Sequence, residues 1–393
     1  MTTLTSLIAE HKIVVCVGTG GVGKTTVAAS FAVHGALVGR RAMVLTIDPA
    51  RRLAQSLGLH ELRGDGQRID LSELTRSGRE VSGTLTAGML DQKSAWDEFI
   101  ARHAPNEEAC RAILRNEFYQ QMSRSFAGST EYMAIEELCR IDECGEYDLV
   151  ILDTPPTGHA LDFLEAPRKL EDFLDRSMIG WFVKPYASFG WSAWKTASRS
   201  ATFLFERIER ATGVETLRQI SEFFIAMEAM FDGIAERSRR VRDVLTSSST
   251  AFVLVTGPDE QVLGQSELLT EKVAFLGMPL RGVVVNRLHP LPEGAEERVG
   301  RPDLQERLAR VLAGSACGDA ETVAWLAANH LAAQDLANAE TERQQIFEAG
   351  LPDGIVVQPV PEFEADVHDL ATLARFADVV CPRPAEANVR GRR

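Results

Sequence analysis

Several things are scarce in this chain, and each scarcity removes a class of protein. The six cysteines, Cys16, Cys110, Cys139, Cys144, Cys317 and Cys381, include no C-x-x-C pair. That removes the usual zinc-finger and dithiol spacings and leaves reduced thiols in a cytoplasmic protein as the expectation. No apolar run approaches the roughly 18 residues of a membrane-spanning helix, and the N-terminal stretch lacks the basic-then-apolar order of a secretory signal. Positive charge is in deficit, 42 Lys and Arg against 56 Asp and Glu for a net −14. A generic polyanion such as DNA or an acidic membrane is therefore disfavoured, so no nucleic acid partner is expected and membrane contact only indirectly. No internal repeat recurs at any fixed period.

What is present supports a large folded core. With 393 residues and 45% apolar content, the chain can bury roughly three quarters of its unfolded surface, as one large or two modest domains. Apolar, β-branched runs of strand length recur at 12–17, 42–47, 85–90, 148–153, 251–256, 281–286 and 354–358. Their near-continuous apolarity predicts strands covered on both faces. Helical periodicity at 25–37, 261–275 and 362–376 falls where crossovers belong, so the fold class is α/β, a doubly wound, mostly parallel sheet. Residues 163–245 carry no strand-like run and read as an inserted helical subdomain, with helical stretches such as 215–234. The ranges 1–162 and 246–380 then form two parts of one core. Residues 311–345 read as a further helical connection, and 381–393 as a disordered tail.

The first apolar run ends in Gly18-Thr19-Gly20-Gly21-Val22-Gly23-Lys24-Thr25-Thr26. Gly18, Gly23, Lys24 and Thr25 satisfy the G-x4-G-K-[ST] spacing of a phosphate-binding loop. In such a loop backbone N–H groups wrap phosphate oxygens, the lysine reaches the β/γ-phosphates and the hydroxyl ligates Mg²⁺. Gly18, Gly20 and Gly23 also satisfy G-x-G-x-x-G, with Asp48 closing the next apolar run, so a dinucleotide oxidoreductase is the rival reading. Lys24 and Thr25 favour a nucleoside triphosphate, because a dinucleotide has no γ-phosphate to attract them.

Two strand ends carry carboxylates. Asp153 follows a buried strand and precedes a turn, the position of a carboxylate that binds the water shell of Mg²⁺; ordinary turn chemistry is the alternative. Asp48 can orient an attacking water, or can merely cap a helix. A carboxylate, Mg²⁺ and a lysine around one γ-phosphate suffice for phosphoryl transfer, which needs mainly positioning and charge stabilisation. Asp48 and Lys24 are thus the catalytic candidates, and Thr25, Asp48 and Asp153 the candidates around the metal.

Taken in order, Gly18–Thr25, the Asp48-Pro-Ala stretch, Asp153-Thr-Pro-Pro-Thr-Gly-His159 and Val283-Val-Val-Asn286-Arg-Leu resemble the ArsA-type ATPases. That family includes the arsenite-pump motor and the ATPase that targets tail-anchored membrane proteins. With Glu131 and the Glu362-Phe-Glu segment, the likeness extends over nearly the whole core. The stretches Thr-Ile-Asp-Pro-Ala-Arg-Arg-Leu-Ala and Phe-Ala-Gly-Ser-Thr-Glu-Tyr-Met-Ala are most similar to bacterial ArsA-like ATPases encoded as neighbouring paralogous pairs. The resemblance implies a P-loop NTPase of the deviant Walker A class that hydrolyses Mg²⁺-ATP as a dimer. It also implies that Asp48 belongs to switch I and Asp153 to switch II, that Asn286 meets adenine, and that residues 358–364, with Pro359 and Pro361, flank the base.

The chain also departs from the family. Where the family's loop reads Gly-Lys-Gly-Gly-Val-Gly-Lys-Thr, its first lysine reaches across a dimer interface; Thr19 stands there in this sequence. A homodimer would lack that charge, or Arg51 or Arg52 would replace it, or a paralogous subunit would supply it in a heterodimer. Arg51 and Arg52 otherwise read as solvated charges at a helix start. The three converging thiolates that arsenite requires are missing from 123–127 and 170–189, which disfavours a metalloid-efflux motor. The zinc-binding C-x-x-C of the tail-anchor ATPase is missing too. Instead the insert carries Met178, Trp181, Phe182, Tyr186, Phe189, Trp191 and Trp194, then Phe203, Phe205, Phe223, Phe224, Met227, Met230 and Phe231. These side chains could form a groove for an apolar protein client, or simply the core of a helical bundle. The functional expectation is an ATP-driven dimeric switch acting on such a client or on a membrane partner, with a low-turnover regulatory subunit as the alternative.

Overall fold

Strand 13–18 lies inside an eight-stranded sheet with hydrogen-bonded neighbours on both sides. The coordinates are a computed structural model that describes residues 3–47, 51–62, 66–125, 129–155, 165, 214–227, 230–292, 301–315 and 317–382. Elements over the first half are α1 (Leu4–Glu10), β1 (Ile13–Gly18), α2 (Lys24–Leu37), β2 (Arg41–Thr46), α3 (Arg51–Ser56), β3 (Gln67–Arg68), α4 (Ser72–Arg76) and β4 (Thr84–Met89). Four helices follow, α5 (Gln92–His103), α6 (Glu107–Arg115), α7 (Glu117–Ser125) and α8 (Ser129–Cys144), before β5 (Leu149–Asp153). Beyond it come α9 (Val214–Met227), α10 (Phe231–Thr246), β6 (Thr250–Thr256), α11 (Glu260–Phe275) and β7 (Leu280–Leu288). The remainder comprises α12 (Arg301–Val311), α13 (Ala320–Ala349), β8 (Val356–Pro361) and α14 (Leu370–Val380).

All seven expected strands are present and, with the unexpected β3, form a sheet in the order β3-β4-β2-β5-β1-β6-β7-β8. Every pairing is parallel except β3 with β4, which is antiparallel. The strands that follow β1 lie to one side of it until β5, and to the other side from β6 onward. The C-terminal end of β1 is therefore a topological switch point, where open α/β sheets bind ligands. Side chains alternate between two cores. Ile13, Val15 and Val17 face a core shared with α5, α8, α10 and α11, whereas Val14 and Cys16 face one shared with α1, α2 and α14. Burial on both faces explains why the strands read as continuous apolar runs rather than alternating ones.

Helices α5–α8, between β4 and β5, pack against α9 and α10, between β5 and β6. Asn116 Nδ2 donates to the carbonyl of Gln219 at 2.9 Å, and the Tyr119 and Phe223 rings stack at 6.2 Å. Arg237 Nε of α10 donates to both oxygens of Glu136 on α8, each at 2.9 Å. Phe223, Phe224, Met227 and Met230 are all buried in this packing. They are core side chains, which decides for the bundle core over the client groove at these four positions. Met178, Trp181, Phe182, Tyr186, Phe189, Trp191, Trp194, Phe203 and Phe205 lie outside the described residues, as does the side chain of Phe231.

Three further expectations change. The helix expected over 362–376 begins only at Leu370, where Asp369 and Thr372 form a capping box; that carboxylate satisfies the first-turn donors and sets the start. The last strand is displaced to Val356–Pro361, beyond a turn in which Gly354 has φ 88°. Pro359 and Pro361 are tolerated there because β8 is an edge strand and one side of its ladder needs no donors. Of the expected tail, Cys381 is buried and Pro382 accepts a hydrogen bond from Thr5, while residues 383–393 lie outside the described residues. All six cysteines are free thiols. Among the described residues no helix is long and apolar enough to cross a membrane.

Candidate nucleotide site

The loop between β1 and α2 is shaped by contacts that only glycine permits. A Cβ on Gly18 would stand 2.0 Å from the carbonyl oxygen of Val255, so β1 and β6 could not close at that point. Gly23 has φ 93°, and a Cβ there would stand 2.5 Å from Asn286 Nδ2. Gly23 is also the N-cap of α2 and offers no side-chain cap. The first-turn N–H groups of a 14-residue helix therefore point at whatever lies in front of the loop, a position that favours an anion.

Lys24 is buried, and its Nζ donates to the carbonyl oxygen of Thr19 at 2.7 Å, curling back over the loop. Thr19 is 2% exposed, and its hydroxyl makes no hydrogen bond. Asn286, at the end of β7, donates from Nδ2 to the carbonyl of Val22 at 2.8 Å and so ties the loop to the neighbouring half of the sheet. Asp153 ends β5 in register with Cys16 of β1 and Thr46 of β2. Its buried carboxylate accepts from Thr46 Oγ1 at 3.0 Å. Thr154 follows, donating to the carbonyl of Cys16 at 2.7 Å. Burial raises the Cys16 thiol well above its ordinary value; the negative charge of Asp153 adds to the shift and Lys24 opposes it. The Asp153 carboxylate fits the water shell of a divalent cation, and the Lys24 ammonium fits a phosphate chain.

In front of the loop lies a cleft of about 940 Å³. Gly21, Gly23, Lys24, Thr25 and Thr26 form its floor, and Arg52, Gln55, Ser56 and His60 one wall. Opposite stand Asn286, Arg287, Pro361, Glu362 and Phe363, followed by Asp366 and His368. Arg287 has φ 64°, the sole non-glycine residue with positive φ among the described residues, and it coincides with a break in the β7–β8 register. Phe363 and Phe376 pack with ring centroids 5.1 Å apart. One end of the cleft is a phosphate cradle, while the other offers flat apolar surfaces suited to a base.

The structure brings Gly21, Gly23, Lys24, Thr25, Thr26, Asn286 and Pro361 to one cleft. Gly18, Thr19, Gly20 and Val22 shape the loop behind it, and Asp153 is buried beneath its end. Pro359 is not among the cleft-lining residues, because it precedes Pro361 by two residues along the edge strand. Asp48 and the side chain of Arg51 lie outside the described residues, whereas Arg52 is exposed, lines the cleft and makes no ion pair among them. Sequence reasoning gave no role to Gln55, His60, Thr154, Arg287, Asp366 or His368. Only Thr154 and Arg287 had a signal, their places beside Asp153 and Asn286.

Over residues 11–307 the chain matches the family described as anion-transporting ATPase, ArsA_ATPase. It is 27% identical over 298 residues to the ATPase GET3 of Malassezia globosa, covering 75% of this chain and 78% of that protein. It is 24% identical over 282 residues to the ATPase get3 of Aspergillus terreus, covering 71% and 74%. Identity to the ATPase ASNA1 homolog 2 of Paramecium tetraurelia is 25% over 272 residues, covering 69% and 74%.

Proposed function

This chain belongs to the ArsA-type anion-transporting ATPase family and hydrolyses ATP, and on that premise we propose that it is a Mg²⁺-ATP-driven dimeric switch of the cytoplasm, coupling turnover to an apolar protein client or a membrane partner. The family assignment removes the dinucleotide oxidoreductase reading. The observation that carries the proposal is the glycine cradle before α2, with Lys24 at its floor and Asp153 on the adjacent strand.

In this reading the α2 N-terminus and Lys24 hold the β/γ-phosphates, and Thr25, Asp48 and Asp153 would hold Mg²⁺. Bound there, the metal would neutralise charge that develops on the phosphates. Asp48 orients the attacking water. Asn286 and Pro361 flank the base, and the helical unit that includes α9 and α10 moves with nucleotide state. Hydrolysis rates with and without Mg²⁺, read alongside sedimentation with ATP and with ADP, test this cycle. A nucleotide-independent monomer would exclude the dimeric switch.

A second reading, a low-turnover subunit of a heterodimer, is favoured by Thr19, whose buried hydroxyl offers no charge to a partner. If that reading holds, mixing with a paralogous subunit bearing lysine at the equivalent position raises turnover, and replacing that lysine abolishes the gain. Robust turnover of this chain alone, unchanged by Thr19→Lys, argues against it and turns attention to Arg51 and Arg52.

A further inference from the structure

One histidine stands where the cleft wall meets the long helix, and the nucleotide reading gives it no role. His289, just past β7, contacts Glu340 twice: its backbone N–H donates to Oε2 at 2.8 Å and its ring Nδ1 lies 2.9 Å from Oε1. Its other ring nitrogen, Nε2, lies 3.2 Å from Oε2 of Glu362. Glu340 sits on α13 with a side chain only 5% exposed. Glu362 lines the cleft between Pro361 and Phe363, and its backbone N–H donates to the carbonyl of Leu288 at 2.8 Å.

A neutral imidazole has one N–H and can serve one carboxylate, whereas the imidazolium has a proton for each. The charged groups facing the ring are Glu340 from α13 and Glu362 from the segment after β8. Nearby cations on the elements concerned are Arg287 on β7, which lines the cleft, and Arg343 on α13, which donates to the carbonyl of Pro258 at 3.0 Å.

We infer that His289 is a positioning residue for the nucleoside end of the cleft: it ties the 361–363 wall to the buried carboxylate of the long helix and thereby sets where the base is received. The inference rests on the reading that this cleft holds ATP. It involves only the base end, because the phosphate cradle is built by β1 and α2 on the other side of Asn286. Movement of α13 then reaches the base through Glu340.

The test is calorimetric titration of the full chain with Mg²⁺-ATP and, separately, with Mg²⁺-tripolyphosphate, which has phosphates but no nucleoside. His289→Ala is expected to weaken ATP about five- to tenfold, since a half-exposed charge-assisted link is lost, and tripolyphosphate by less than about twofold. His289→Arg keeps donors for both carboxylates, so it retains ATP affinity. Equal losses for the two ligands, or an unchanged ATP affinity in His289→Ala, would overturn the inference. Lys24→Ala separates the two levels: if it binds both ligands normally, the cleft reading itself fails.

Discussion

Asn286 has two readings that one substitution separates. The resemblance implies a contact to adenine, whereas the structure has its Nδ2 bound to the carbonyl of Val22 at 2.8 Å, bracing the phosphate loop from behind. Asn286→Asp preserves the shape, removes the donor and sets an oxygen against that carbonyl in a site that is 5% exposed. Losing the bond and stranding a buried carbonyl costs about 1–3 kcal/mol. At about 2 kcal/mol, expressed wholly as disorder of the loop, phosphate affinity falls about 30-fold, since about 1.4 kcal/mol is tenfold. Asn286→Ala removes the bond without the repulsion and should cost about fivefold. The assay is titration with ATP and with pyrophosphate, accompanied by thermal melts. A brace predicts parallel losses for both ligands in Asn286→Asp, larger than in Asn286→Ala. Weakened ATP with unchanged pyrophosphate would refute the brace and leave only the base contact.

Lys24→Ala should abolish productive ATP binding, because it removes the ammonium at the floor of the cradle; equilibrium binding and turnover check this. Asp153→Asn should leave ATP affinity within a few-fold while raising the Mg²⁺ concentration needed for half-maximal hydrolysis by about tenfold or more, and a normal metal titration would refute the placement. Asp48→Asn should lower the steady-state rate by about 10²-fold, or roughly 2.7 kcal/mol of transition-state stabilisation, with little change in binding. Arg237→Ala strands Glu136, whose side chain is 3% exposed, and should destabilise the chain by about 3 kcal/mol in urea unfolding; a change below about 0.5 kcal/mol would mean that the α8–α10 link contributes nothing.

The phosphate loop was legible because it is local. Its glycines, lysine and hydroxyls are consecutive, and the steric demands met by Gly18 and Gly23 are written as missing side chains. The strands were legible for a related reason, since burial on both faces leaves a continuous apolar run. The two-residue β3 has no such run and was missed. The start of α14 was misplaced because 362–369 has helical periodicity, while the capping box of Asp369 and Thr372 decides where the helix begins. Phe223, Phe224, Met227 and Met230 were ambiguous because an apolar side chain looks the same in a groove and in a core. Only the packing of α9 and the start of α10 into the core shared with α6 and α7 assigns them to it.

By itself, then, the sequence determined the chemistry that short-range spacing encodes: a phosphate cradle, a carboxylate at a strand end, and alternating strands and helices. The tertiary structure alone decided the partnerships between distant segments. Asn286 meets Val22 across 264 residues of chain, His289 meets Glu340 across 51, and Arg52, His60 and His368 converge on one cleft. The reason is physical. A turn or a strand depends on its own residues and immediate neighbours, whereas the walls of a cleft at a topological switch point are set by sheet order and crossovers, which bring together residues that share no local pattern.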